Sequence, residues 1–583
     1  AGGVPHEGIL LGACGYVDQR KDCSDFVLHA LLRLLYQFNV HPSLSPHLYE
    51  QVYASVIHFK YWPDEPGEDS MCTWTENHQI LFASAAYLAG QLFPEEVFAN
   101  ARHSGAEKMA LARPRILRWL DLRARTGFSE WLSNVYYDED LTALVNLLDF
   151  CEDEEIRAKA RQVIDLLLLD LALNSFRGVF GSTHGRSYAI AKMYAQEEAT
   201  SPVSKLLFGL GSFSSADSMS AACFALSPAY QLPEWIFKIA NDIEAVVENR
   251  QRMGLRLSEA GRWGLGFESF EDGMVYLSLE AYAHPRSLDL ILRMFDAWNW
   301  WSNGYFKPFA RMRKELSLLR KLRLTPWLAR LLDRDINRNT REEANLYTYR
   351  TPAGMLSCAQ DYRKGYGGDQ QSIWQATLGP GAVCFTTHPA KRQGDSPNYW
   401  TGSGSLPRAA QYKNVLAVVY RISTAPGLYQ TNQLRFTHAW LPRLQFDEVV
   451  ERGGWIFARK GEGYLALRSQ HAWRWESQEP GGQPDEVVSD GLNNIWLCEM
   501  GRAAEDGPFD QFIDRICAAQ LVFRGSRVRF VSPSVGRFEF GWNGPLRVGG
   551  KEIPLRDYPR YENPYIHLPF GEDPALPRGY DKL

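Results

Sequence analysis

A helical domain of roughly 340 residues followed by an all-β domain of roughly 230 is the organisation this sequence predicts. Three observations carry it. Apolar residues recur at three- and four-residue steps through the first half. Beyond Arg341 the pattern turns into short β-rich runs separated by Gly, Pro and Asp clusters. Between the two, the segment RDINRNTREEANLYTYR is dense in charge and has lost its periodicity, which places a boundary near 335–350. A chain of 583 residues exceeds what one core holds, so domains over 1–340 and 341–583 are expected.

The first predicted helix, 22–38, opens on an Asp/Ser cap signal and continues as FVLHALLRLLYQF. Comparable stretches follow at 44–58, 77–92, 105–126, 139–150, 153–174, 233–248, 286–300 and 308–333. In 154–174 the pattern is sharpest, with Ile156, Ala160, Val163, Ile164, Leu167 and Leu171 on one face. No strand-like alternation precedes residue 340 or so, and no repeat of fixed length stands out. The succession therefore reads as stacked helical hairpins without sheet. In the second half AVCFTTH (382–388), VLAVVYRI (415–422), GYLALRSQ (463–470) and LVFRGSRVRFVS (521–532) read as strands of an antiparallel sandwich with no long helix. The Pro- and Gly-rich stretch 558–583 is expected to wrap over the surface.

Composition narrows the function. A net charge of -5 and the absence of basic runs interleaved with aromatics exclude a nucleic-acid partner. No apolar run is long enough to span a bilayer, so no membrane partner is expected. The nine cysteines are scattered without a CxxC pair, which argues against a disulfide framework and against zinc, and favours a reducing, cytoplasmic compartment. A leader removed before Ala1 would instead mean secretion. No metal or cofactor is expected; HExxH, Walker, dinucleotide and GxSxG signatures are absent. The 18 Trp, 27 Tyr and 30 Phe are first of all core material, but aromatic faces also suit sugars, which stack their C–H faces on rings.

Four segments gather polar and aromatic residues where helices turn. Trp74-Thr75-Glu76-Asn77-His78 leads into the 77–92 helix; a first-turn carboxylate explains Glu76 but not the Asn-His pair. Glu130, Trp131, Asn134, Tyr136 and Tyr137 crowd a loop in which capping accounts only for Asp138. Glycines flank His184, Arg186 and Tyr188, a set suited to carboxylate recognition beside proton transfer. Trp263 sits in RWGLGFE, ahead of Glu268, Glu271 and Asp272, which read mostly as caps. In the β half, Tyr399 and Trp400 lie on a Gly/Ser loop, either a simple turn or a flap over the helical cleft.

A long helical domain before a β-sandwich, WTENHQ at 74–79 and QDYRKGYGGDQQSIWQATLG at 360–379 resemble the (α/α)-toroid polysaccharide lyases, including the heparinase II/III-like and alginate-lyase groups. The resemblance implies a toroid whose hairpin loops build one cleft, carrying an Asn-His pair, and a uronic-acid-containing glycan as substrate. A lyase removes the proton α to the carboxylate, so it needs a base, an acid and groups that neutralise the carboxylate. Tyr188 or Tyr136 would move the proton with His184 or His78 assisting, while Asn77 or Asn134 with Arg186 neutralises. Trp74, Glu76, Glu130, Trp131, Asn134, Tyr137, Trp263, Tyr399 and Trp400 would bind the sugar. Two alternatives stay open: an inverting glycoside hydrolase using two carboxyls among Glu76, Glu130, Asp138, Glu268 and Asp272, and a glycan-binding protein without turnover.

Overall fold

The computed structural model describes residues 6–38, 44–425, 427–430, 432–477, 482 and 484–577. Helices dominate as far as Ile336 and antiparallel sheets thereafter. The strongly periodic segments fold as expected: Ser24–Phe38, Pro46–His58, Glu76–Leu92, Gly105–Thr126, Tyr136–Phe150 and Glu154–Asn174 are all α-helices. Their ends follow local chemistry. Ser104 and Glu107 form a capping box at the start of Gly105–Thr126, and Gly127, at φ 69°, ends it. Asp153 accepts from the N–H groups of Glu155 and Ile156 to start the next.

Four expectations are corrected. The helix expected over 233–248 stops at Asn241, and Val247–Met253 is a strand. It pairs with Ala344–Thr351 on one side and Tyr561–Glu562 on the other, so the sheet draws on residues from both halves of the chain. The helix expected over 308–333 is broken into Lys307–Met312 (3-10), Arg313–Lys321, Thr325–Leu331 and Asp333–Ile336. Arg323 at φ 56° and Pro326 at the next helix start enforce the break. The β half is not one sandwich without helix; it comprises several sheets and carries the helix Phe509–Ala518.

The largest sheet runs Arg474–Glu476, Glu486–Asp490, Phe436–Trp440, Val383–Thr387, Trp374–Thr377, Gly354–Ala359, Ala344–Thr351, Val247–Met253, Tyr561–Glu562, His567–Leu568. A second sheet centres on Gly463–Ser469, Asn493–Arg502 and Val415–Arg421. Alternation assigns its two faces. Leu416, Val418, Tyr420, Trp496 and Cys498 join the main core, which continues into the helices. Val415, Ala417, Val419, Ile495 and Leu497 join a second core with Phe512, Ile516 and, from a further sheet that pairs Arg527–Ser532 with Gly536–Gly541, Phe530 and Phe538. The 558–577 stretch is also more than a surface wrap: Tyr561 is buried and donates to Asp170 at 2.7 Å, in the middle of the helical half.

Candidate functional site

The turn from Gly127 to Asn134 is the foundation of the site, and Glu76 holds it. As the first residue of its helix, Glu76 accepts from the Ser129 N–H at 3.1 Å, the Glu130 N–H at 2.9 Å and the Ser129 hydroxyl, and it pairs with Arg123. Its carboxylate is fully buried and fully engaged, so Glu76 is a staple rather than a sugar ligand. Its neighbour Asn77 donates to Glu130 Oε2 at 2.8 Å.

The 181–188 loop closes over this turn. His184 exchanges backbone hydrogen bonds with Ser372, and Gly185 donates to the Trp131 carbonyl at 2.7 Å. A Cβ on Gly185 would lie 2.7 Å from the Trp131 ring, so only glycine permits that approach. Arg186 then reaches three partners: Glu130 Oε1 at 2.6 Å, the Tyr136 hydroxyl at 2.7 Å and Gln370 Oε1 at 2.5 Å, with its guanidinium 3.7 Å above the Tyr136 ring. The Tyr136 and Tyr188 hydroxyls share a hydrogen bond of 2.7 Å, and Gln370 donates to Tyr188 at 2.9 Å. Asn77, Glu130, Tyr136, Arg186 and Tyr188, drawn from three segments, thus form one connected chain. Only its last member is open to solvent: Tyr188 is 37% exposed and Tyr136 9%.

Behind the chain lies a second ion pair, Arg341 with Glu280 at 2.5 Å, and Arg341 also donates to the Gly185 carbonyl. Burial would push the Glu130 carboxyl up, but Arg186, Arg341 and the hydrogen bonds from Arg186 and Asn77 hold it below its ordinary value. Arg186 is likewise disfavoured by burial and held firmly charged by Tyr136, Glu130 and Glu280. Burial keeps Tyr136 well above the ordinary phenol value despite Arg186.

His78 stands beside this group with a different geometry. Its Nδ1 meets Asp25 Oδ2 at 2.7 Å and Phe26 stacks on its ring at 5.1 Å, while Nε2 has no partner among the described residues. Burial opposes its charge, yet the Asp25 carboxylate raises the imidazole above its usual value. Such an Asp-oriented ring presents Nε2 for proton transfer.

The remaining expected residues do not face the site. His184 is interior, its ring bonded to the Leu132 carbonyl and to Asn134 at 3.5 Å, and burial lowers it to about 4. Asn134 also donates to the Ala191 carbonyl, so both serve the loop's fold. Trp131 and Tyr137 are fully buried, Tyr137 donating to Asp170. Trp74 donates to Tyr282 at 2.6 Å within an aromatic cluster with Trp300, Tyr305 and Phe306. Trp263 packs edge-on against Phe570. Trp400 stacks on His438 at 3.9 Å and Tyr399 donates to Glu486, both in a small core of their own; their loop does reach the site's rim, where Thr401 accepts from the Ala189 N–H at 3.0 Å.

The carboxyls considered for hydrolysis are dispersed among private partners: Glu76 with Arg123, Glu130 with Arg186, Glu268 with Arg293, Asp272 with Arg118, and Asp138 with Ser218 and Ser220. Asp138 caps not its own helix, which begins at Tyr136, but Met219–Leu226, through the Met219 N–H at 3.0 Å. Sequence reasoning missed Asp25, Glu280, Arg341 and Gln370 as members of the site. No group of three or more His, Cys, Asp or Glu among the described residues is placed to hold a metal. No family model and no curated protein matches the chain.

Proposed function

We propose that the protein is a polysaccharide lyase that cleaves a uronic-acid-containing glycan by β-elimination, on a helical domain of (α/α)-toroid type. The observation that carries this reading is the exposed Tyr188 phenol wired through Tyr136 to Arg186. A phenol is a poor base at neutral pH unless a cation stabilises its anion. The guanidinium is one hydroxyl away and held charged. Tyr188 takes the proton α to the uronate carboxyl, the electron pair forms the new carbon–carbon double bond, and the glycosidic oxygen leaves with a proton. His78 Nε2 or the same phenol supplies that proton. Arg186 spends three of its five donors on Glu130, Tyr136 and Gln370, which leaves two for a carboxylate.

A second reading, an inverting hydrolase, is favoured by Asp369, which directly precedes Gln370 and accepts from Asn339 and Ser396 at 3.4 Å each. Burial and neighbouring Glu280 raise its carboxyl against the pull of Arg341 and Arg186, the direction that general-acid work calls for. The two readings separate on product. Incubated with uronate-rich polysaccharides, the protein is expected to generate the ultraviolet absorbance of a conjugated unsaturated uronate. New reducing ends without that absorbance would replace the lyase by the hydrolase.

A further inference from the structure

The segment 307–334 concentrates positive charge and exposed apolar surface in one place. It holds nine Lys or Arg against two acidic residues, in a chain whose net charge is -5. Arg313 and Arg320 pair with Asp296. The side chains of Lys307, Arg311, Lys314, Lys321, Arg323 and Arg330 make no hydrogen bond or ion pair among the described residues. Between these cations stand large apolar side chains in water. Trp327 is 62% exposed and Leu331 66%, four residues apart on Thr325–Leu331; Leu318 on Arg313–Lys321 and Leu322 just past its end, each 58% exposed, repeat the spacing. Residues four apart share a helix face, so each short helix offers an apolar stripe flanked by free cations. No residue of Arg313–Lys321 is buried, which means the helix's own fold does not use that stripe.

We infer that this segment seats the protein on an anionic lipid surface, with Trp327, Leu331, Leu318 and Leu322 in the headgroup–acyl boundary and the free cations on acidic headgroups. Both halves of the pattern are needed. Aliphatic and indole side chains gain free energy on leaving water for the bilayer interface, and clustered cations are drawn to its negative charge. An acidic glycan satisfies the cations alone and gives the leucines nothing. The sequence expectation of no membrane partner rested on the absence of a spanning stretch; no described helix is long and apolar enough to cross, and a peripheral seat needs none. The inference stands apart from the reaction proposed above.

The test is co-sedimentation of the full chain with vesicles of phosphatidylcholine, with and without phosphatidylserine. Binding is expected only with the acidic lipid and should weaken steeply as salt is raised. Trp327→Ala with Leu331→Ala, and separately Lys314→Glu with Lys321→Glu, should each lower the partition coefficient by about tenfold or more. All four side chains are exposed, so an unchanged circular-dichroism melt certifies the variants as folded. Absence of binding, or equal binding to neutral vesicles, overturns the inference. So does loss of binding in the charge variant alone, the signature of a polyanion site. Light scattering that shows a dimer broken by these substitutions, with no vesicle binding, assigns the face to a second copy instead.

Discussion

Tyr188 and Arg186 make separable demands on the site. Tyr188→Phe removes one hydroxyl at the exposed end of the chain and leaves Arg186 its three partners, so folding is untouched. The expected result is a fall in kcat of about 10²–10⁴ with KM nearly unchanged, measured by initial rates, because the lost group acts in the transition state. The two histidines predict opposite pH effects on stability. His78 is raised by Asp25, so its contribution is full below the unfolded imidazole value of about 6.5 and fades as pH rises through the folded value. His184 is lowered to about 4 by burial, so between about 6.5 and 4 only the unfolded chain binds its proton, and stability falls as pH falls. Denaturation midpoints across pH should therefore show His78→Gln costing most in acid and least in alkali. His184→Gln should cost most near neutrality, with its gap to the parent narrowing towards pH 5 or so.

At the scale of elements, the first turn of Glu76–Leu92 governs the Gly127–Asn134 loop. Glu76→Gln keeps the shape but removes the charge facing buried Arg123. Breaking one partner from a buried pair costs about 3–5 kcal/mol. A lower denaturation midpoint together with lost activity is expected, in contrast to the folded but inactive Tyr188→Phe. The helices around this loop were legible because burying one face imposes a 3.6-residue period. The strand Val247–Met253 was not: its inward Asn249 and Gln251 are polar, satisfied by each other and by Asn174 and Asp170, and leave no apolar alternation to read. The site divides in the same way. Asn77, Glu130, Tyr136, Arg186 and Tyr188 lie in dense polar clusters on turns, whereas Asp25, Glu280, Arg341 and Gln370 lie outside those clusters and are gathered only by the fold. Arg341 in particular sits in a charged stretch that reads as linker, yet it is wholly buried against Glu280.

For the whole molecule, Asp170 is the point where distant parts meet. It accepts from Tyr137 at 3.2 Å, Gln251 at 2.6 Å and Tyr561 at 2.7 Å, joining a central helix, a sheet strand and the C-terminal segment. Removing residues 558–577 should therefore loosen the helical half as well as the sheet. Hydrogen exchange is expected to accelerate along Glu154–Asn174; unchanged protection there would mean that the segment is only a cover. The same feature bears on biosynthesis. Arg250 and Glu562 are strand partners 312 residues apart in sequence. On a ribosome, the helices and the Val247–Met253 strand emerge long before Tyr561–Glu562 exists, and that strand waits with one edge unpaired. Such an edge is a template for another chain. The interval between making residue 253 and residue 561 is thus the period in which a nascent chain most needs a chaperone, and slowing translation across it should increase aggregation rather than relieve it.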